Sequence, residues 1–154
     1  MTVFIRSATA ADLSAVEKLL RAAFHAAYDA IHGPEKIEST SRAWHNQAAL
    51  KANLERPWSE FLLADTGEVI AGVAYASQSS EDFVTVHQLY VDPAMTGQGI
   101  GGQLLEECFE SFPEAKAFRL EVDEQNLRAV KFYGQFGFRE TGRTANCGRA
   151  DSGM

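Results

Sequence analysis

The chain has 154 residues, which is enough for one domain with a substantial hydrophobic core. Its hydrophobic content of 45% and charged content of 23% are typical of a folded globular protein and exclude wholesale disorder. The formal net charge of −7, without any basic cluster, argues against a nucleic-acid partner and is compatible with a cationic substrate such as an amine.

Neither membrane attachment nor a metal is expected. No apolar run approaches the roughly 20 residues that cross a bilayer, and the first residues lack the pattern of a secretion signal. The two cysteines, Cys108 and Cys147, do not have the spacing of metal ligands. We therefore expect a cytoplasmic protein with reduced thiols and no metal site.

The first third of the chain predicts one strand followed by helices. Apolar residues recur at helical spacing after a capping box formed by Thr9 and Asp12, and Gly33 with Pro34 ends that pattern. The predicted elements are a strand at Val3–Arg6, a helix to about Ala30, a polar loop at Pro34–Thr40 and a second helix at Ser41–Leu54.

The remainder predicts an antiparallel meander and then a strand–helix–strand crossover. Its elements are strands at Glu60–Ala64, Val69–Gln78 and Phe83–Val91, a helix at Gly99–Phe112, a strand at Ala117–Val122, a helix at Leu127–Phe136 and a strand at Phe138–Thr144. The fold class is α/β, with one domain over residues 1–145 and a flexible tail over 146–154. We expect a mixed, mostly antiparallel sheet of about six strands and about four helices, in the order β-α-α-β-β-β-α-β-α-β.

A glycine-rich turn, Gly97–Gly102, lies between a strand and a helix and has three readings. It matches the G-x-G-x-x-G fingerprint of dinucleotide-binding domains, but Asp92–Thr96 separate it from the strand, and the chain lacks the further βαβ units of such domains. A turn that only packs the helix onto the sheet is a second reading. The third is a pyrophosphate cradle, because glycines allow close backbone approach and a helix N-terminus favours an anion. The turn has no lysine and so is not a nucleotide-triphosphatase P-loop, and coenzyme A becomes the leading ligand.

Two segments resemble motifs of the GNAT superfamily of N-acetyltransferases. LYVDPAMTGQGIGGQLLEE is similar to the family's acyl-CoA-binding motif, and LEVDEQNLRAVKFYGQFGFRETGR is similar to its second motif. The order of predicted elements also resembles the family over nearly the whole chain. The resemblance implies acetyl transfer from acetyl-CoA to a primary amine of a small molecule or peptide, by direct attack on the thioester. A catalytically idle acyl-CoA-binding or sensing module is the alternative.

The sequence departs from the family pattern at two places. Thr96 stands where the family usually has Arg or Gln, so Gln98 is a candidate replacement for that side-chain contact. The seventh strand of the family has no counterpart, because the last ten residues are not strand-like. The predicted sixth strand then has an open edge, and we hypothesise a homodimer in which a neighbouring subunit covers it.

The resemblance assigns cofactor-binding roles to the glycine turn, the strand before it and a later helix. The glycine turn would bind the pyrophosphate, and the strand would pair with the pantetheine arm through its backbone. The implied residues are Leu89, Tyr90, Val91, Thr96, Gly97, Gln98, Gly99, Ile100, Gly101, Gly102, Asn126 and Tyr133. Asn126 is equally suited to capping the last helix.

Tyr133 matches the family tyrosine that protonates the leaving thiolate, and ring packing is its alternative role. Glu121 matches a glutamate that some members use as general base, and His87, on the strand before the glycine turn, is the rival because imidazole titrates near neutral pH. Phe24, Tyr28, Ile31 and Trp44 are candidates for the substrate pocket, although core packing also explains their spacing and is the preferred interpretation. His25, His32 and His45 are interpreted as surface or packing residues.

Overall fold

A five-stranded mixed sheet forms the centre of the structure, a computed structural model that describes residues 2–146. Its strands are β1 (Phe4–Ser7), β2 (Ser59–Asp65), β3 (Ile70–Gln78), β4 (Phe83–Val91) and β5 (Ala117–Arg119). They lie side by side in chain order, antiparallel from β1 to β4, with β5 parallel to β4. The predicted α/β class, the antiparallel meander and the parallel crossover pair are confirmed.

Helices cover both faces of the sheet. They are α1 (Leu13–His32), α2 (Pro34–Trp44), α3 (Gln47–Glu55), α4 (Ile100–Ser111) and α5 (Leu127–Gln135), with short 3-10 turns at Ala10–Asp12 and Pro93–Met95. Helices α1 and α3 pack on the face that presents Val73 and Tyr75, and α2 extends this layer. Helices α4 and α5 pack on the opposite face, where β3 presents the small residues Ala74 and Ala76. Both faces of the central strands are therefore buried, which explains their continuous apolar runs.

The helical region before β2 differs from the prediction. The predicted loop at Pro34–Thr40 forms most of α2, because Pro34 occupies the first helical turn after Gly33, where its missing N–H removes no hydrogen bond. The predicted single helix at Ser41–Leu54 is divided between α2 and α3. The division lies at Asn46, whose side chain accepts a hydrogen bond from the Ala49 N–H at 2.9 Å and so starts a new helix.

The predicted strand at Phe138–Thr144 does not form in the described part of the chain, and β5 is shorter than predicted. Phe138 packs on Tyr133 and Phe109, but residues 139–145 are exposed. A strand exists only where a neighbour accepts its backbone hydrogen bonds, and this segment, in which Phe138 is the one apolar residue, has no adjacent strand to pair with. Of the predicted tail at 146–154, only Asn146 belongs to the described residues, and Cys147 lies outside them.

Candidate active site

A cleft opens where β4 and β5 part. The two strands pair only from Phe83–Thr85 to Ala117–Arg119, and beyond that point they diverge. The register between β3 and β4 shifts at the same level, since Tyr75 pairs with Gln88 and Ala76 pairs with Val86, which makes His87 the extra residue of a β-bulge. The cleft is partly open to solvent and is lined by Tyr28, Val86, His87, Gln88, Leu89, Tyr90, Leu120, Glu121, Val122, Asn126, Ala129 and Tyr133.

The divergence leaves one edge of β4 without a neighbouring strand. Leu89, Tyr90 and Val91 pair with β3 on one side, and β5 has ended before it reaches their level on the other. Within the described residues, no strand pairs with β4 on that side beyond Thr85. An extended amide-containing ligand can pair with such an edge in the way that an added strand does.

The glycine turn follows β4 after the 3-10 turn at Pro93–Met95. Gly97 and Gly99 have φ angles of +79° and +81°, in the left-handed region that suits glycine, and a Cβ at either position would meet open space. Gly99 is the N-cap of α4, and no side chain caps that helix. The first N–H groups of α4 are therefore available to an anion, together with the positive end of the helix dipole.

Gly101 and Gly102 have a different role from the two glycines before them. A Cβ at Gly102 would lie 2.9 Å from Phe136 Cζ, and one at Gly101 would lie 3.4 Å from Phe132 Cζ. Both glycines therefore let α5 pack closely against the first turn of α4. The packing interpretation of the turn thus holds for its second half. Thr96 and Gln98 are both exposed beside the first half.

Tyr133 lies on α5 and reaches the cleft, with its ring packed against Phe132 and Phe138. Burial raises the pKa of its hydroxyl well above the usual value, and Tyr28 and Cys108 raise it further. The phenol is therefore protonated at every physiological pH and can act only as a proton donor in its resting state.

Asn126 combines the two roles that the sequence allows. Its Oδ1 accepts a hydrogen bond from the Ala129 N–H at 3.2 Å and so caps α5. Its Nδ2 donates to Tyr28 Oη at 3.2 Å, which links α5 to α1 across the cleft. Both residues line the cleft.

The two candidate bases both line the cleft, from opposite walls. Glu121 is exposed and follows β5. His87 is also exposed, but its ring stacks on Tyr75 at a centroid distance of 5.3 Å, and its Nε2 lies 2.7 Å from Ser77 Oγ. Desolvation of the imidazole lowers its pKa, and the positive charge of Arg56 lowers it further. His87 is therefore neutral near pH 7, with its ring orientation defined by two neighbours.

Of the four predicted substrate-pocket residues, the structure places Tyr28 at the cleft. Phe24 is buried behind it, in an edge contact with Tyr28 at 5.1 Å and in contact with Trp44 at 5.9 Å. Ile31 and Trp44 are partly buried and pack against the same cluster. Phe24, Ile31 and Trp44 thus pack behind Tyr28, on the side away from the cleft lining.

The structure also shows a polar pair that the sequence did not indicate. His32 Nε2 lies 2.6 Å from Asp123 Oδ2, and both side chains are less than a tenth exposed. The pair connects the end of α1 to the segment after β5, so it joins the same two walls as the Asn126–Tyr28 hydrogen bond. A separation of 91 residues along the chain leaves no local pattern by which the pair could have been found.

Neither a metal-ligand cluster nor a membrane-spanning helix occurs among the described residues. No group of three or more His, Cys, Asp or Glu side chains suited to an ion occurs in residues 2–146. None of the helices in that range combines the length and the apolar composition of a membrane-crossing segment. Cys108 is a buried free thiol, and burial raises its pKa to about 12, which makes it unreactive.

Comparisons with known proteins agree with this geometry. The peptidyl-lysine N-acetyltransferase YjaB of Salmonella typhimurium is 43% identical over 56 residues, 36% of this chain and 37% of that protein. The N-alpha-acetyltransferase RimI of Mycobacterium tuberculosis is 32% identical over 98 residues, 62% of this chain and 61% of that protein. The matched segments thus span less than two thirds of these relatives.

A solved structure is similar over a larger share of the chain. The PaiA N-acetyltransferase of Thermoplasma acidophilum, in complex with coenzyme A, has a TM-score of 0.85 at 26% identity and covers 90% of this chain and 91% of its own. The family model of the acetyltransferase (GNAT) domain matches residues 28–148, well over half of the sequence. The chain therefore belongs to the GNAT acetyltransferase family, as its two motifs indicated.

Proposed function

We propose that this protein transfers an acetyl group from acetyl-CoA to a primary amine. The observation that carries the proposal is the open edge of β4, which is followed, after the 3-10 turn at Pro93–Met95, by a glycine turn and a helix N-terminus without a side-chain cap. One continuous surface thus offers backbone partners to an extended amide chain and then backbone donors to a phosphate. These are the two chemical parts of coenzyme A.

The residues fit this cofactor at both ends. The N–H groups of the turn around Gly97 and Gly99 would hold the pyrophosphate, with Thr96 and Gln98 beside them. The backbone of Leu89, Tyr90 and Val91 would pair with the pantetheine arm, and Asn126 lies on the opposite wall. Gly101 and Gly102 would contribute N–H groups while their missing side chains make room for α5.

Bound acetyl-CoA would supply an activated thioester. The amine nitrogen forms the new N–C bond as the C–S bond breaks, so one proton must leave the nitrogen and one must reach the sulfur. We assign the second transfer to Tyr133, whose phenol is protonated in the resting state and lines the cleft. A backbone N–H on the open edge of β4 is the proposed donor to the carbonyl oxygen as negative charge develops there.

We assign the first proton transfer to His87 rather than to Glu121. A base must be unprotonated before the amine arrives, and the lowered pKa of His87 meets this condition at neutral pH. Its contact with Ser77 leaves one ring nitrogen to accept the proton while the other donates to the hydroxyl. Glu121 faces the same cleft and is the alternative.

The acceptor is proposed to be the amine of a small molecule or of a peptide. The YjaB relative is named for peptidyl-lysine and the RimI relative for the alpha-amine, which supports a primary amine of either kind. The net charge of −7 favours a cationic acceptor over nucleic acid. We further propose that the protein works in the cytoplasm, where acetyl-CoA is available.

Thermal unfolding and thioester cleavage together test this function. Acetyl-CoA should raise the melting temperature, because a ligand that binds only the folded state stabilises it. Free thiol should then appear when diaminobutane, an Nα-acetyl-lysine peptide or a peptide with a free N-terminus is added. Stabilisation without turnover on any amine would indicate an idle acyl-CoA-binding module, and the absence of stabilisation would contradict the cofactor assignment.

A homodimer is a further part of the proposal. In the described residues β5 pairs on one side only, and residues 139–145 do not cover its other side as a strand. An uncovered strand edge favours pairing with another chain. Light scattering coupled to gel filtration would measure the mass directly, and a mass of about 17 kDa, matching the 16.9 kDa chain, would contradict the dimer.

A further inference from the structure

Two buried polar atoms in residues 2–146 lack a hydrogen-bond partner within the structure, and they belong to neighbouring residues. They are Tyr75 Oη and Gln88 Oε1. Tyr75 on β3 and Gln88 on β4 are cross-strand partners, next to the bulge at His87. Buried polar side-chain atoms are almost always paired in native proteins, so each exception calls for a physical explanation.

The surroundings of the two residues differ. Tyr75 is 2% exposed and packs its ring between Phe61 and His87, away from the cleft lining. Its ring explains its presence, and the hydroxyl adds nothing that the structure uses. Gln88 is partly buried and lines the cleft. A glutamine there has no packing advantage over an apolar residue of the same length, which points to a ligand.

The position of Gln88 specifies which ligand group would reach it. It follows His87, the proposed base, and precedes Leu89, whose backbone would hold the cofactor arm. The group that must come between a base and the thioester is the nucleophilic nitrogen. The Oε1 of a glutamine is an acceptor only, and an amine nitrogen offers it N–H donors.

We propose that Gln88 is a specificity-determining residue whose Oε1 accepts one N–H of the acceptor amine, so that the site selects primary over N-methylated amines. This inference rests on the proposed acetyltransferase function. A neutral primary amine has a lone pair and two N–H groups. The lone pair attacks the acetyl carbon, one N–H gives its proton to the base, and the other satisfies Gln88. A secondary amine has one N–H and cannot do both.

Gln88→Met and Tyr75→Phe form a matched pair of variants. Gln88→Met removes the unpaired oxygen at the cleft, and Tyr75→Phe removes the unpaired hydroxyl behind it. Each new side chain has about the same volume as the one it replaces. Three quantities are measured for both: the melting temperature, its rise with acetyl-CoA, and kcat/KM for the best amine of the panel above and for the N-methyl derivative of that amine.

The inference predicts different results for the two variants. Gln88→Met should lower kcat/KM for the primary amine by about 10-fold, the size of one hydrogen bond, and leave the N-methylated amine nearly unchanged. Tyr75→Phe should leave both values as in the wild type. Neither variant should lose thermal stability, because replacing an unpaired buried polar group by an apolar one is neutral or stabilising. Acetyl-CoA should raise the melting temperature of both variants by the same amount as in the wild type.

Several results would overturn the inference. One is a Gln88→Met variant that acetylates the primary amine as fast as the wild type, or loses activity equally on both amines. Another is a marked fall in its melting temperature, which would show a structural role. These outcomes require an active wild type. A wild type that binds acetyl-CoA but acetylates no amine would instead overturn the proposed function, and this inference with it.

Discussion

At the scale of single residues, the proposed chemistry depends on two side chains whose pKa values are shifted in opposite directions. Burial keeps the Tyr133 phenol protonated, and desolvation keeps the His87 imidazole neutral. A site that must both donate and accept a proton near pH 7 needs such a pair, because groups with similar pKa values would exchange roles.

We expect Tyr133→Phe to reduce kcat by about 100-fold, the lower range for loss of a general acid. The ring packing with Phe132 and Phe138 is retained, so stability and acetyl-CoA binding should change little. Steady-state rates at saturating acetyl-CoA measure the effect. Tyr75→Phe is the control, since it removes a buried hydroxyl that does not line the cleft. Equal rates for the Tyr133 variant and the wild type would reduce Tyr133 to a packing residue.

The base assignment is tested by pH. The wild-type kcat/KM should fall as the pH drops through the pKa of His87, which lies below 6.5. In His87→Gln this fall at low pH should disappear, and kcat/KM at pH 8 should be about 100-fold lower than in the wild type. Glutamine can still contact Ser77, so the strand should be undisturbed. If the fall at low pH survives in His87→Gln and disappears in Glu121→Gln, the base is Glu121.

At the scale of secondary structure, the cleft depends on how closely helices approach the sheet. Gly72 on β3 is a point of close approach to α4, since a Cβ there would lie 2.8 Å from Leu104 Cδ1, 3.2 Å from Ile100 Cγ2 and 3.2 Å from the Tyr90 carbonyl oxygen. A side chain at this position would push α4, whose N-terminus forms part of the proposed phosphate site, away from the strands.

Two glycine substitutions should therefore have opposite effects. Gly72→Ala is expected to lower the free energy of unfolding by about 1 to 3 kcal/mol through overpacking. Gly134→Ala on α5 should raise it by about 0.5 to 1 kcal/mol, because alanine favours the helix and a Cβ there meets nothing within 4 Å. Urea unfolding of both variants measures the difference. Equal effects would show that crowding at Gly72 relaxes without cost.

The walls of the cleft are joined by the buried His32–Asp123 contact at 2.6 Å. We expect His32→Ala and Asp123→Ala each to lower the free energy of unfolding by about 2 kcal/mol, because each leaves a polar partner unsatisfied. The double variant should lose less than the sum of the two. The coupling is read from a double-mutant cycle by urea unfolding. Strictly additive losses would mean that the pair contributes no interaction energy.

At the scale of the whole molecule, stability should depend on pH through His45. This side chain is 3% exposed in an aromatic cluster, and burial lowers its pKa from 6.5 to about 4. Between these two values the unfolded chain binds a proton that the folded protein excludes. The free energy of unfolding should therefore fall as the pH drops from 6.5 to 4, by at most about 3 kcal/mol.

His25 has a raised pKa, so its effect on stability has the opposite pH dependence. Its two ring nitrogens contact Asp29 at 2.6 Å and Glu38 at 2.9 Å, and these hydrogen bonds raise its pKa, with Glu38 the larger cause. Its stabilisation is complete below pH 6.5 and is lost only as the pH rises through the raised pKa, so it does not mask the fall due to His45. Urea unfolding at several pH values should show a larger fall in the wild type than in His45→Leu, in which His87, whose pKa is also lowered, still contributes. A fall of the same size in both would contradict the assignment to His45.

The sequence predicted those parts of the fold and site whose determinants are close together in the chain. The capping box at Thr9 and Asp12 forms, with the Thr9 N–H donating to Asp12 Oδ2 at 2.8 Å, and Asn126 caps α5 as expected. The glycine turn and the parallel crossover also follow from local pattern, because turn geometry and helix hydrogen bonds involve residues only a few positions apart.

The local sequence pattern gave a wrong prediction where the structure of a segment depends on a partner elsewhere in the chain. The strand predicted at Phe138–Thr144 does not form, because its backbone has no neighbouring strand to bond with. Glycine and proline at 33 and 34 suggested a loop, and a helix starts there instead, stabilised by packing of Ile37 in the core.

By itself, the sequence thus determined the antiparallel meander, the crossover, the glycine turn and the family to which the chain belongs, since these depend on spacing along the chain. Only the tertiary structure decided that β4 and β5 part after Thr85, that His32 meets Asp123 and that Gln88 lines the cleft with an unpaired oxygen. Those features arise from hydrogen bonds and burial between segments far apart in sequence, and no local spacing encodes which distant group will be the neighbour.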